Sequence, residues 1–200
     1  VINQSLNYEE DRPLREARGI IDRMIKRTPA GGNLPPRRNM LGEVMTVPNS
    51  GGPAGVFNPL YIKEDPKNVV DYEISNLRSG FRQPSRFLRP GVEELDMKDY
   101  YNPETGQQSY DRFLELVGTS TIRGRTLRQS LERMFKSKEY AALSGEDLKD
   151  ETGSDSPKVV ALRRMIRAYR GVARSKMLQE NPELRMREIE AIQKARAARQ

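Results

Sequence analysis

Residues 28–65 read TPAGGNLPPRRNMLGEVMTVPNSGGPAGVFNPLYIKED, a stretch of 38 residues with six prolines, six glycines and no sustained helical or strand periodicity. Structureless connections beyond about 12–15 residues are uncommon inside compact domains and usually serve as lids, binding arms or linkers. This one carries Leu34, Met40, Leu41, Val44, Met45, Val47, Val56, Phe57, Leu60, Tyr61 and Ile62, more apolar area than a disordered linker normally spends. The expectation is an extended docking arm whose apolar side chains are buried by another chain.

Outward from the arm, the periodicity is helical. Before it, an N-terminal helix is expected within residues 1–27: Asp11 and Pro13 open it, Leu14, Ala17, Ile21, Met24 and Ile25 recur at helical spacing, and Pro29 stops it. After it, residues 66–108 read as a helix bearing Val70, Ile74 and Leu77, then an extended, basic linker (FRQPSRFLRP, 81–90) and a turn-rich passage. A helical domain follows over 109–180. Tyr110, Phe113, Leu114 and Val117 stripe a helix that Gly118 is expected to close, and Leu127, Leu131, Met134 and Phe135 stripe the next, opened by a Thr126/Gln129 capping box. After the polar insertion SGEDLKDETGSDS (144–156), Val159, Leu162, Ile166, Tyr169, Val172, Ala173 and Met177 mark a long amphipathic helix. Asn181-Pro182 breaks it, leaving 181–200 as a C-terminal helix or tail, frayed or held by a partner. No strand is expected beyond a short extended piece around Val44 to Val47. The fold class is therefore mainly α, a small helical cluster with a long extended Pro/Gly-rich arm, non-compact overall.

Composition agrees. At 36% hydrophobic, 32% charged and 6% aromatic residues, with no Trp and a mean hydropathy of −0.79, the chain is lean for a self-sufficient core of 200 residues. It begins on Val1 rather than Met, which sets the expectation of a piece of a longer protein. With no Cys and no His, zinc sites of the usual ligands, thiol nucleophiles and Ser-His-Asp arrangements are excluded. No run reaches the ~18 apolar residues of a membrane span, and VINQSLNYEEDRP lacks the regions of a signal peptide, so membrane contact is not expected.

The carboxylate pairs Glu9-Glu10, Glu93-Glu94 and Asp147 with Asp150 lie in polar stretches where solvated charge is the default. Asp147, Asp150, Glu151 and Asp155 lack calcium-loop order, and the glycines at 31, 32, 51, 52 and 55 match neither phosphate-loop pattern. No catalytic, cofactor or metal residue is assigned. The net charge of +7 is uneven: residues 158–200 hold 12 Lys and Arg against 4 Glu, so residues 1–157 hold 23 against 24. Arg163, Arg164, Arg167, Arg170 and Arg174, about one turn apart, are the candidate nucleic-acid contact, able to follow a phosphate backbone; pairing with an acidic protein surface is the alternative. Arg37-Arg38 and the Arg82, Arg86, Arg89 group sit in extended segments with Phe81 and Phe87 interleaved among them. Such interleaving suits single strands, but proline-rich backbone docks on proteins at low entropic cost. The candidate docking residues are Leu34, Pro35, Pro36, Arg37, Arg38, Phe57, Tyr61, Phe81 and Phe87.

Taken in order, LPPRRNMLGEV (34–44), NPLYIKEDPKNVVDYEISNL (58–77), FRQPSRFL (81–88), SYDRFLELVGTSTIRGRTLRQSLERMFKSKEYAAL (109–143) and ALRRMIRAYRGVARSKMLQENPEL (161–184) form a pattern. It resembles the C-terminal region of very large tailed-bacteriophage proteins carrying a large polyvalent protein-associated domain, among them internal virion or ejection proteins of short-tailed phages. The resemblance implies a non-enzymatic, virion-associated segment that docks on portal, tail-channel or other ejection proteins, in multiple copies within a symmetric assembly. It also implies delivery with the genome, localisation to the virion and, after ejection, the host cell. DNA is the second candidate partner. Enzyme activities of such giant chains belong to other regions, and no cofactor is implied.

Overall fold

The computed structural model describes residues 35–45, 68–77, 82–89, 93–143 and 156–199. The described chain is mainly helical, in the order α1 (Val69–Asn76), β1 (Phe87–Leu88), β2 (Leu95–Asp96), a 3-10 turn (Met97–Asp99), α2 (Ser109–Thr119), α3 (Leu127–Phe135), α4 (Lys138–Ala141), α5 (Pro157–Glu180) and α6 (Pro182–Ala197). The two strands pair antiparallel, Phe87 opposite Asp96 and Leu88 opposite Leu95. The N-terminal helix expected within residues 1–27 lies outside the described residues.

Local chemistry fixes most of the helix ends. Thr126 caps α3 by the reciprocal box: its N–H donates to Gln129 Oε1 at 3.0 Å while its hydroxyl accepts from the Gln129 N–H. Ser156 caps α5, and Pro157 occupies the first turn, where no N–H is needed. Asn181 ends α5 and starts α6. Its Oδ1 accepts from the Leu184 N–H at 3.0 Å, and its Nδ2 donates to the Tyr101 carbonyl at 3.0 Å and to Ser109 Oγ at 2.7 Å. Buried and fully engaged, this one side chain ties the turn between two helices to the start of α2.

The core lies between α5 and the helices before it. Val159, Leu162, Ile166, Tyr169, Ala173 and Met177 are all buried on one face of α5, against α2 (Tyr110, Phe113, Leu114, Val117) and α3 (Leu127, Leu131, Phe135). Burying each large aliphatic side chain contributes about 1.5–3 kcal/mol. The Tyr169 hydroxyl donates to the Arg125 carbonyl at 2.6 Å and pairs with the Ser130 hydroxyl at 2.6 Å, so the largest polar tip in this layer is satisfied. α1 rests on α3 through Val70 and Ile74.

Three local expectations change. Gly118 does not end α2, which runs on to Thr119. The strand pair and the four-residue α4 carry too few residues to show a period. Residues 182–197 form a helix held by this chain's own body, with Leu184, Ala191 and Ala195 buried; its narrow seam is built mostly of alanine, so it lacks the large apolar stripe by which docking helices are recognised.

Candidate docking surface

The largest correction concerns the middle of the Pro/Gly-rich stretch. Residues 35–45 form a tight turn-back in which Arg38 bridges Val44. The Asn39 N–H donates to the Glu43 carbonyl at 2.9 Å, and the Met45 N–H donates to the Arg37 carbonyl at 2.8 Å. Asn39 Oδ1 accepts from the N–H groups of Leu41 (2.9 Å) and Glu43 (3.0 Å), closing the tip. Met40 and Leu41 are 2% and 1% exposed and belong to the same core as α2 and α5. The expectation that another chain buries this stretch therefore fails for 35–45.

Two glycines allow the tip to sit so deep. Gly42 has φ +80°, and a Cβ built on it would lie 2.3 Å from the Leu114 carbonyl oxygen and 2.4 Å from the Gly118 nitrogen. A Cβ on Gly118 would lie 2.7 Å from the Gly42 carbonyl oxygen. Gly118 thus stays inside α2 as a landing place for another backbone, not as a stop signal.

A charge network locks the turn. On α3, Arg128 reaches Glu43 of the turn with Nε and, at 2.7 Å, with Nη2; Nη2 also donates to Asp71 Oδ1 of α1 at 2.9 Å. The Asp71 side chain is 7% exposed, so Arg128 neutralises a charge that would otherwise be costly to bury. Burial pushes the Glu43 carboxyl up, but the hydrogen bonds from Arg128 and Asn39 outweigh it and hold the group below the ordinary glutamate range. At the far end of the core, Arg112 grips Glu180 with two hydrogen bonds, 2.6 and 2.9 Å, and those bonds depress the Glu180 carboxyl. The buried Tyr140 hydroxyl is pushed up to about 12, by burial first and then by Glu73.

The candidate residues are divided by this geometry. Pro35, Pro36, Arg37 and Arg38 are half-buried at the base of the turn, and Arg38 folds back to donate to the Gly42 carbonyl at 3.0 Å. Phe87 is half-buried in β1 with the Arg86 guanidinium 4.5 Å from its ring centroid. Leu34, Phe57, Tyr61 and Phe81 lie outside the described residues. The arginine series on α5 is not one solvent-facing row. Arg164 and Arg167 are exposed, and Arg163 has a contact of its own. Arg174 pairs with Glu188 of α6. Arg170 turns inward under the turn, donating to the Arg82 carbonyl at 3.0 Å, and burial lowers its proton affinity.

Sequence reasoning missed Gly42 with Gly118 and the Glu43, Asp71 and Arg128 set, whose members lie on three separate segments. The one local signal was Asn-x-x-Gly at 39–42, a turn composition hidden among many other turn residues. An open apolar groove of about 720 Å³, lined among others by Met134, Leu143, Val160, Ala161 and Met165, with Arg164 at its side, lies between α3 and α5. Among the described residues, no three acidic, His or Cys side chains converge as a metal site. The sequence-stretch acids Asp147, Asp150, Glu151 and Asp155 lie outside the described residues. Comparison of the chain with protein-family models, curated proteins and solved structures finds no match in any of the three.

Proposed function

We propose that this chain is a non-enzymatic docking segment of a tailed-phage internal virion or ejection protein, seated on portal or tail-channel proteins and taking part in genome delivery. The observation that carries the docking part is the anchorage of residues 35–45 in the helical core. A turn fixed by Gly42, Gly118 and Arg128 gives the flanking sequence a defined point of departure on each side. Those flanks, 28–34 and 46–65, hold Leu34, Val47, Val56, Phe57, Leu60, Tyr61 and Ile62. Tethering apolar segments to a rigid body raises their effective concentration at a partner and lowers the ordering cost of docking. The phage assignment draws its support from the order of sequence segments that resembles those proteins.

A density map of an intact particle tests both parts. The chain is expected in the particle, in several symmetry-related copies, with residues 46–65 lying on a neighbouring structural protein. Absence from the particle overturns the virion assignment, and residues 46–65 covered only by this chain's own helices overturn the docking role.

A further inference from the structure

Among the described residues the apolar groove between α3 and α5 lies open. Met134 and Leu143 form one wall and Val160, Ala161, Met165 and Ala168 the other, with Arg164 at the side. Val160 is 52% exposed there, and an open apolar furrow between two packed helices is the shape that receives a third, amphipathic helix. Along α5 the lining runs from Pro157 to Ala168, about 16 Å at the helical rise. Of the segments outside the described residues, 11–27 alone carries a helical apolar stripe, Leu14, Ala17, Ile21, Met24 and Ile25. From Leu14 to Ile25 that stripe also measures about 16 Å as a helix.

We infer that the groove is the seat of this chain's own N-terminal helix, its stripe laid against Met134, Val160 and Met165. The tether permits it. The described structure begins at Pro35, at the base of the turn whose Met40 carbonyl oxygen lies 3.5 Å from Arg170 Nη2. Arg170 stands two residues beyond Ala168, so turn and groove adjoin the same part of α5. Residues 28–34 reach up to about 25 Å, enough to carry the helix around an α-helix of about 10–12 Å diameter. Being intramolecular, this docking is favoured over the same helix of another molecule. The other sequences are poorer occupants. Residues 144–155 connect the groove's edges at Leu143 and Pro157, but their one large apolar residue, Leu148, sits among five acids. The arm at 46–65 is apolar without a helical period. The two apolar segments thus divide the work: the N-terminal helix completes the body, and 46–65 is left for an external partner.

Site-directed cross-linking tests the inference, because the chain has no cysteine of its own. Ile21→Cys and Ala161→Cys are introduced together in the full 200-residue chain, treated with a short bis-maleimide at micromolar protein, and the products are read by gel and peptide mass spectrometry. A link within one chain is expected, at least about tenfold faster than from Arg23→Cys with Ala161→Cys. Arg23 lies on the opposite side of the helix with nearly the same tether, so a tail that only diffuses near the body would react equally from both positions. Val160→Cys repeats the comparison at an exposed position, and far-UV circular dichroism checks that each variant keeps its helix content. Equal rates from the two faces would overturn the inference. Links that join two chains would overturn it as well, giving the groove to a second copy. Neither result bears on the particle map, which reads residues 46–65.

Discussion

The chain changes direction at Asn39 and again at Asn181, and the two breaks are stabilised differently. At Asn39 the turn is pressed into the core by a backbone-to-backbone approach and a nearly buried carboxylate network. At Asn181 it is held by one buried amide beside the buried Leu184, and most of the charges on the helices leading away are exposed. The first geometry forbids side chains and tolerates little change. The second leaves the flanking helix surfaces open to substitution.

Adding one methyl group breaks the comparison most sharply. Gly118→Ala gains about 1 kcal/mol of helix propensity, but its Cβ meets the Gly42 carbonyl at 2.7 Å. The net loss should be about 2–4 kcal/mol in urea unfolding, at the upper end of overpacking costs. Gly171→Ala, on the exposed side of α5 with nothing within 4 Å of its Cβ, should instead stabilise by about 0.5–1 kcal/mol.

Charge removal gives the next contrast. Arg128→Leu removes the guanidinium that both Glu43 and the buried Asp71 accept from and should cost about 2–4 kcal/mol, less than for a fully buried pair because the guanidinium is partly exposed. Arg174→Gln, at the second turn, removes a more exposed partner and should cost under about 1 kcal/mol. A double-mutant cycle of Arg128 with Glu43 should show coupling above 1 kcal/mol, and one of Arg174 with Glu188 should not.

Acid sharpens the comparison with a smaller effect. Glu43 and Glu180 both titrate below the ordinary glutamate range in the folded chain. Their contribution is complete above the unfolded value of about 4.3 and is lost as pH falls through the lower folded values. Urea midpoints should therefore be flat from pH 7 to about 5 and fall below about 4, and Glu43→Gln should make that fall shallower.

What could be read from sequence was what acts locally. The capping box of Thr126 and Gln129, Pro157 after Ser156 and the Asn181-Pro182 break each satisfy their own helix end, so neighbouring residues suffice to announce them. The α5 stripe was legible because burial repeats along one face. Nothing local singles out Gly42, and Gly118 reads as a helix stop, since each has meaning only against the other, far along the chain. Arg170 was grouped with solvent-facing arginines because helical spacing fixes an angle around the axis and not what covers it. The turn that covers it has, in sequence, the composition of an external arm.

The central claim is that residues 35–45 are core and not a free docking arm. Native-state hydrogen exchange of the isolated chain reads it directly, through the bonded N–H groups of Asn39, Leu41 and Met45. The account predicts protection within about tenfold of the α2 amides around Val117, because the turn can leave only when that packing opens. Exchange of these three amides at unprotected rates while α2 remains protected would contradict it.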